Sequence, residues 1–283
     1  MSARSTWRRL DPSRAEHLGE ARLELHWAAQ IASAAGTTWR DAADDFSHTA
    51  LRWAPSHDAL LGEPVGHALR AGLRPHDLSL LVVGPGDAVL ESRPLAGRTL
   101  AQGLRWLSDA LSRHSGGALD GPLTRPAHDL PAHPVGDGAR FTGGVDGGST
   151  ALGDWLADAH ALLTPLARTL DHASPVRCWP HHFDIATLVS LGGDRSVGLG
   201  LSVGDDETPA PYFYATPWPP PRDATTALPG LPAGGAWHTD GWFGAQLVGS
   251  ALPAEASPQR SQAEIFLDAA FAACQTLLPS REG

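Results

Sequence analysis

The segment from His181 to Pro217 strings three apolar runs, HHFDIATLVSL, SVGLGLSV and PYFYATP, between turn segments as short as GGDR and GDDE. Connections this short return each strand beside the previous one in the opposite direction, because a parallel crossover needs about a dozen residues or more. Antiparallel sheet is therefore expected, with helices lying outside the run of strands.

The earlier half of the chain has a similar grammar. From Arg14 to Ala35, Leu18, Leu25, Ala28, Ala29 and Ile31 recur at three and four spacing, which predicts an amphipathic helix stopped at Gly36. Strands are expected at FSHTALRW (46–53) and DLSLLVV (77–83), followed by the turn GPGD, a return strand AVLES and the helix TLAQGLRWLSDALSRH. The stretch from Ser115 to Thr150 is rich in Gly, Pro and Asp and reads as a long connection, with His128 and His133 as solvated loop residues. The helices WLADAHALLTPLARTL and QAEIFLDAAFAACQTLL then bracket the three strands.

The order helix, strands, helix thus occurs twice. It predicts an α+β fold of two pseudo-repeats packed into one unit: residues 1–115, a Pro/Gly-rich connection over 116–149, and residues 150–283. Setting His48-Thr-Ala-Leu51 against His182-Phe-Asp-Ile185 brings the two first strands into register, with a cleft expected where they approach.

Charge and cysteine content exclude several chemistries. The chain has no lysine, which removes Schiff-base catalysis and a Walker phosphate loop. Its net charge of -10 and the lack of any basic run longer than Arg8-Arg9 argue against nucleic acid. Cys178 and Cys274 form no CxxC pair, so neither a disulfide framework nor a four-cysteine zinc site is expected. No apolar run reaches the roughly 20 residues that span a bilayer, and no signal-type apolar region follows the basic N-terminus. A cytoplasmic protein without a membrane partner is the expectation.

Several segments together resemble a bacterial family of unknown function. They are L25HWAAQI31, the Pro-rich P126AHDLPAHPVGD137, S174PVRCW179 with F183DIA186, P211YFYATPWPP220, and the helix I265FLDAAFAACQTLL278. The resemblance covers most of the chain and implies its fold; it carries over no catalytic residue.

Strand alternation puts His182 and Asp184 on one sheet face, where an imidazole beside a carboxylate suits a general base or a pair of metal ligands. His48 is the register partner of His182, while His238 and Glu207 lie in turn-rich segments that could converge on them. His48, His182, His238 and Asp184 would suit a divalent transition metal, Zn, Fe or Mn. Trp179, Tyr214, Trp218 and Trp237 are candidate walls of a small-molecule pocket. Two readings remain open. One is an enzyme using His182, Asp184 and Glu207; the other is a non-catalytic module binding a small molecule or a protein through the same aromatics. A third role for the duplicated sheet is an interface with a second copy of the chain.

Overall fold

The computed structural model describes residues 7–143, 147–221 and 227–278. Contacts divide the chain into two compact units. The first comprises Leu18–Gly153 and Arg177–Phe183; the second comprises Met1–His17, Asp154–Val176 and Asp184–Gly283. Each combines helices with antiparallel sheet, as the short turns require. No helix among the described residues is long and apolar enough to cross a membrane.

The first unit contains α1 (Gly19–Trp39), β1 (Leu51–Ala54), β2 (Ala59–Gly62), β3 (Arg70–Arg74), β4 (Ser79–Val83), β5 (Val89–Pro94) and α2 (Leu100–His114). α3 (Gly148–Thr169), most of which belongs to the second unit, leads back to β6 (Arg177–Trp179) of the first, whose strands lie in the order β6-β1-β2-β3-β4-β5. Leu60, Leu73 and Leu80 form one fully buried cross-strand row. Gly103 of α2 brings that helix close to Ile31, Leu95 and Leu80, and a Cβ there would stand 2.7 Å from Ile31 Cδ1. Thr99 starts α2 with a capping box: its hydroxyl accepts from Gln102 N–H while the Gln102 side chain accepts from Thr99 N–H.

Three expectations are corrected here. Gly36 does not stop α1, which runs on to Trp39; the glycine lies inside the helix, where its bare Cα faces the His48 carbonyl. The first strand begins at Leu51 and not at residue 46, because Phe46 takes φ 56° and a turn closes from Phe46 O to Thr49 N–H at 3.0 Å. In the connection after α2, His133 is not a solvated loop residue. Phe141 and Val135 are buried, His133 is buried with Nε2 3.0 Å from Glu20, and Trp27 Nε1 donates to Pro131 O at 3.1 Å, so the stretch is tied down along α1.

The second unit continues with β7 (Asp184–Gly192), β8 (Arg195–Ser202), β9 (Tyr212–Trp218), β10 (Ala236–His238), β11 (Gly244–Val248) and α4 (Ala256–Leu277), with strand order β10-β11-β9-β8-β7. Ile185, Leu201, Phe213 and Leu247 form a cross-strand row with no exposure. The same sheet face carries Ala215, whose carbonyl oxygen lies 3.6 Å from Cys274 Sγ of α4. Burial pushes that thiol up to about 12, so Cys274 is an inert core residue.

Candidate functional site

The face of this sheet opposite α4 is polar and aromatic. Strand alternation places Asp184, Ser202 and Tyr212 in one of its rows, and Ala186, Gly200, Tyr214 and Gln246 in the next. Gly200 is small for a reason: the Tyr214 ring lies across it toward Asp184, and a Cβ there would stand 2.6 Å from Tyr214 Cζ and Oη. The Tyr214 hydroxyl donates to Asp184 Oδ2. Beside it, buried Tyr212 donates to Asp205 Oδ2 at 2.6 Å. Burial first, then that hydrogen bond, hold the Tyr212 phenol above its ordinary range, so it remains a donor. Asp205 Oδ1 accepts from Glu207 N–H at 2.9 Å and Thr208 N–H at 2.7 Å, which fixes the GDDE turn.

Trp242 folds back over Gly244, where any Cβ would overlap its ring. The indole stacks on Tyr212 with centroids 6.0 Å apart and on His238 at 4.6 Å, while Tyr214 meets it edge-on at 6.5 Å. His238 Nε2 lies 3.4 Å from Glu207 Oε2, close enough for charge attraction, yet it makes no hydrogen bond. The exposed Glu207 carboxylate also sits over Gly241, at φ 75°, where a Cβ would be 3.1 Å from Oε1. One carboxylate therefore meets both the end of β10 and the middle of the β10–β11 turn.

Gly200→Ala tests whether this face is built as described. The new Cβ would stand 2.8 Å from the Ile185 carbonyl oxygen as well as against the Tyr214 ring, so the ring must leave Asp184. A loss of about 1–3 kcal/mol is expected from overpacking, read by denaturant unfolding, together with a shifted Tyr214 ring resonance in NMR spectra. An unshifted resonance would contradict the packing.

Asp184, Glu207, His238 and Tyr214, four of the residues singled out from sequence, thus share one unit and one network. Trp218 is on the same sheet face, at the end of β9, and is 62% exposed. Trp237 is not on that face: it pairs with Ala245, stacks on Phe243 at 5.4 Å and donates from Nε1 to Pro229 O at 2.7 Å. The remaining three belong to the first unit. His48 Nδ1 accepts from Ala43 N–H at 3.1 Å and so serves its own turn. His182 is exposed, with its ring 4.3 Å from that of His181, and Trp179 meets His181 edge-on.

His182 and Asp184 do not share a strand face. Phe183 takes φ 56° and its N–H bonds Trp179 O at 2.7 Å, so His181 and His182 lie in a turn and β7 begins only at Asp184. Among the described residues, no group of three or more His, Cys, Asp or Glu side chains is placed to hold a metal ion. Tyr212, Asp205 and Trp242 also carry the network; in the sequence they belong to the aromatic cluster of the second half and to the polar GDDE turn. Tyr212 lies two residues before Tyr214 on one strand and so shares its face; the sequence does not show the ring stack of Trp242, because its place depends on the glycine beneath it.

No family model, no curated protein and no solved structure matches the chain, so the resemblance drawn from sequence rests on the quoted segments.

Proposed function

We propose that the chain is a small-molecule enzyme that works by proton transfer on the polar face of the second unit. The observation that carries this reading is the phenol–carboxylate pair Tyr214–Asp184 beside the His238–Trp242–Tyr212 stack. Asp184 draws the Tyr214 proton toward itself, which makes the phenol oxygen a candidate base toward a bound molecule. His238 is the second proton-carrying group, and exposed Glu207 is its shuttle to water. Trp242 and Trp218 supply ring surface for a substrate with an apolar or cyclic part. A duplicated ancestor fits the element order, since each half runs a series of consecutive strands, β1–β5 in one and β6–β11 in the other, between two helices. A cytoplasmic setting is part of the same reading.

The test is untargeted. Purified protein is incubated with a metabolite extract, and species lost or gained are followed by mass spectrometry. Wild type is expected to convert at least one species, and Asp184→Asn and Tyr214→Phe to slow that conversion by about a hundredfold, the scale of one general acid–base group. Conversion unchanged in both variants refutes the site. A species retained through gel filtration without conversion, and lost in the variants, replaces the enzyme by a binding module on the same face.

A further inference from the structure

A different polar cluster belongs to the first unit. Arg22, His26 and Gln30 follow one another at four-residue spacing, so they share one stripe of α1, and all three are buried. Gln30 Nε2 donates to Pro180 O at 2.6 Å and to His26 O at 3.2 Å, which fixes the amide with Oε1 as its acceptor end. His128 Nδ1 lies 3.2 Å from that oxygen and must carry the proton, so Nε2 of neutral His128 is a bare lone pair. His26 Nε2 donates to Pro180 O at 2.9 Å, which makes it part of the floor. The His181 ring lies 5.6 Å from His128 and 4.3 Å from His182.

The charges around these rings are one-sided. Arg22 acts on His26 and Arg125 on His128, while the other influences on the three rings His26, His128 and His181 are imidazoles and backbone groups. Within the described residues none of these influences is a carboxylate, in a chain of net charge -10. The nearest acids in sequence are otherwise placed: Glu24 accepts from Thr142 N–H, Glu20 bonds His133, and Asp129 is exposed. Arg125 stacks its guanidinium over Trp27 at 5.4 Å, and its Nη1 is buried with no hydrogen bond. Burial holds His26 and His181 down at about 4 and lowers His128, so all three are neutral near pH 7.

We propose that Arg125, His128, His181 and His182 form a binding site for a small oxyanion, a phosphate-type group or a carboxylate, taken up together with a proton. The orphaned Arg125 Nη1 supplies one charged donor. The lone pair on neutral His128 Nε2 repels an anion, and protonation turns the same atom into a second donor. A bound anion therefore raises the imidazole pKa, so the added affinity is present at low pH and is lost as pH rises. A cation is disfavoured by the Arg125 guanidinium beside His128. Exposed His182, with half-exposed His128 and His181, leaves the cluster open to solvent. This site uses none of the groups assigned to proton transfer in the second unit.

Sulfate is the first probe, because it stays a dianion across the range and does not itself titrate. Calorimetry on the full chain at about pH 5.5 and about pH 7.5 is expected to show binding at least about tenfold tighter at the lower pH, within the hundredfold that one proton over two pH units allows. Repeating it in buffers of different ionisation heat should show net proton uptake. Arg125→Gln and His128→Gln should each weaken sulfate by about fivefold or more, while Arg52→Gln, which alters an exposed ion pair with Glu63, leaves it unchanged. Arg125→Lys, which keeps the charge, separates lost binding from lost folding by retaining part of the affinity. Inorganic phosphate and acetate then assign the ligand: tighter phosphate marks a phosphate-type site, tighter acetate a carboxylate site. No binding at about 20 mM of any of the three at the lower pH, binding indifferent to pH or to both Gln variants, or stoichiometric Zn2+ held by these histidines overturns the proposal.

Discussion

Asp158→Asn is expected to stabilise the protein at pH 7 and above while leaving it little changed near pH 4. Asp158 of α3 is 1% exposed; Oδ1 accepts from Arg8 N–H at 2.9 Å, and Oδ2 is buried without a hydrogen bond. Burial dominates, the Arg8 N–H opposes it, Asp154 adds to it, and the carboxyl is pushed up to about 8 from an ordinary 3.8. The sign follows from proton counts. Between those two values the unfolded chain has released the proton and the folded chain still holds it, so stability falls as pH rises through the window and levels off above about 8. Each pH unit is worth at most about 1.4 kcal/mol, which over that window sets a ceiling of about 6 kcal/mol. Asparagine keeps the acceptor for Arg8 and has nothing to ionise, though its amide N–H₂ lacks a partner at a cost of about 1–3 kcal/mol. A net gain of about 1–3 kcal/mol at pH 8, shrinking or reversing toward pH 4, should appear in denaturant unfolding at several pH values. A difference that stays constant with pH would mean that Asp158 is already ionised in the fold.

Long periodic runs were legible in the sequence. Strands β4 and β7–β9 and helices α2 and α4 appear where alternation or three-and-four spacing is sustained. The elements that were not read, β2, β3 and β6, are three to five residues long, and the local pattern is too brief to outweigh the Gly and Pro beside them; of β10 and β11 only the Asp240-Gly241 hairpin turn between them is legible. Site placement failed for another reason. His48 and His182 were assigned to strands, but Phe46 and Phe183 at φ 56° turn the chain there, and a bulky residue at positive φ follows no propensity rule. The meeting of Tyr214 with Asp184 also needs a glycine on the strand between them, a relation that appears only once the register is fixed. His128 looked solvated because nothing local shows that its loop lies along α1, where Gln30 meets it.

Gly36 separates two physical meanings of one residue, and Gly36→Ala is expected to cost far more than a helix-stop glycine would. At a C-terminal stop, alanine loses about 1 kcal/mol through left-handed strain. In mid-helix with ordinary surroundings, alanine would gain about that much from propensity. Neither situation holds, because a Cβ at position 36 would overlap the His48 carbonyl oxygen and press on the Thr49 backbone, neither of which is a flexible side-chain tip. That backbone is held by Ser33, whose hydroxyl donates to Thr49 O at 2.5 Å from one turn earlier on α1, and by the His48 ring accepting from Ala43. Relief requires α1 to move away from the turn that leads into β1, which would break the Ser33 bond and open a gap beside buried Ala32 and Leu51. A loss of about 3 kcal/mol or more is expected, and at about 2–4 °C per kcal/mol the melting temperature should fall by about 6 °C or more. Ser33→Ala gives the scale for the hydrogen bond alone, about 1 kcal/mol, and the double variant should fall short of the sum because both changes release the same contact. A Gly36→Ala protein melting within about 2 °C of wild type would place the glycine at a relaxed helix position and refute the close approach.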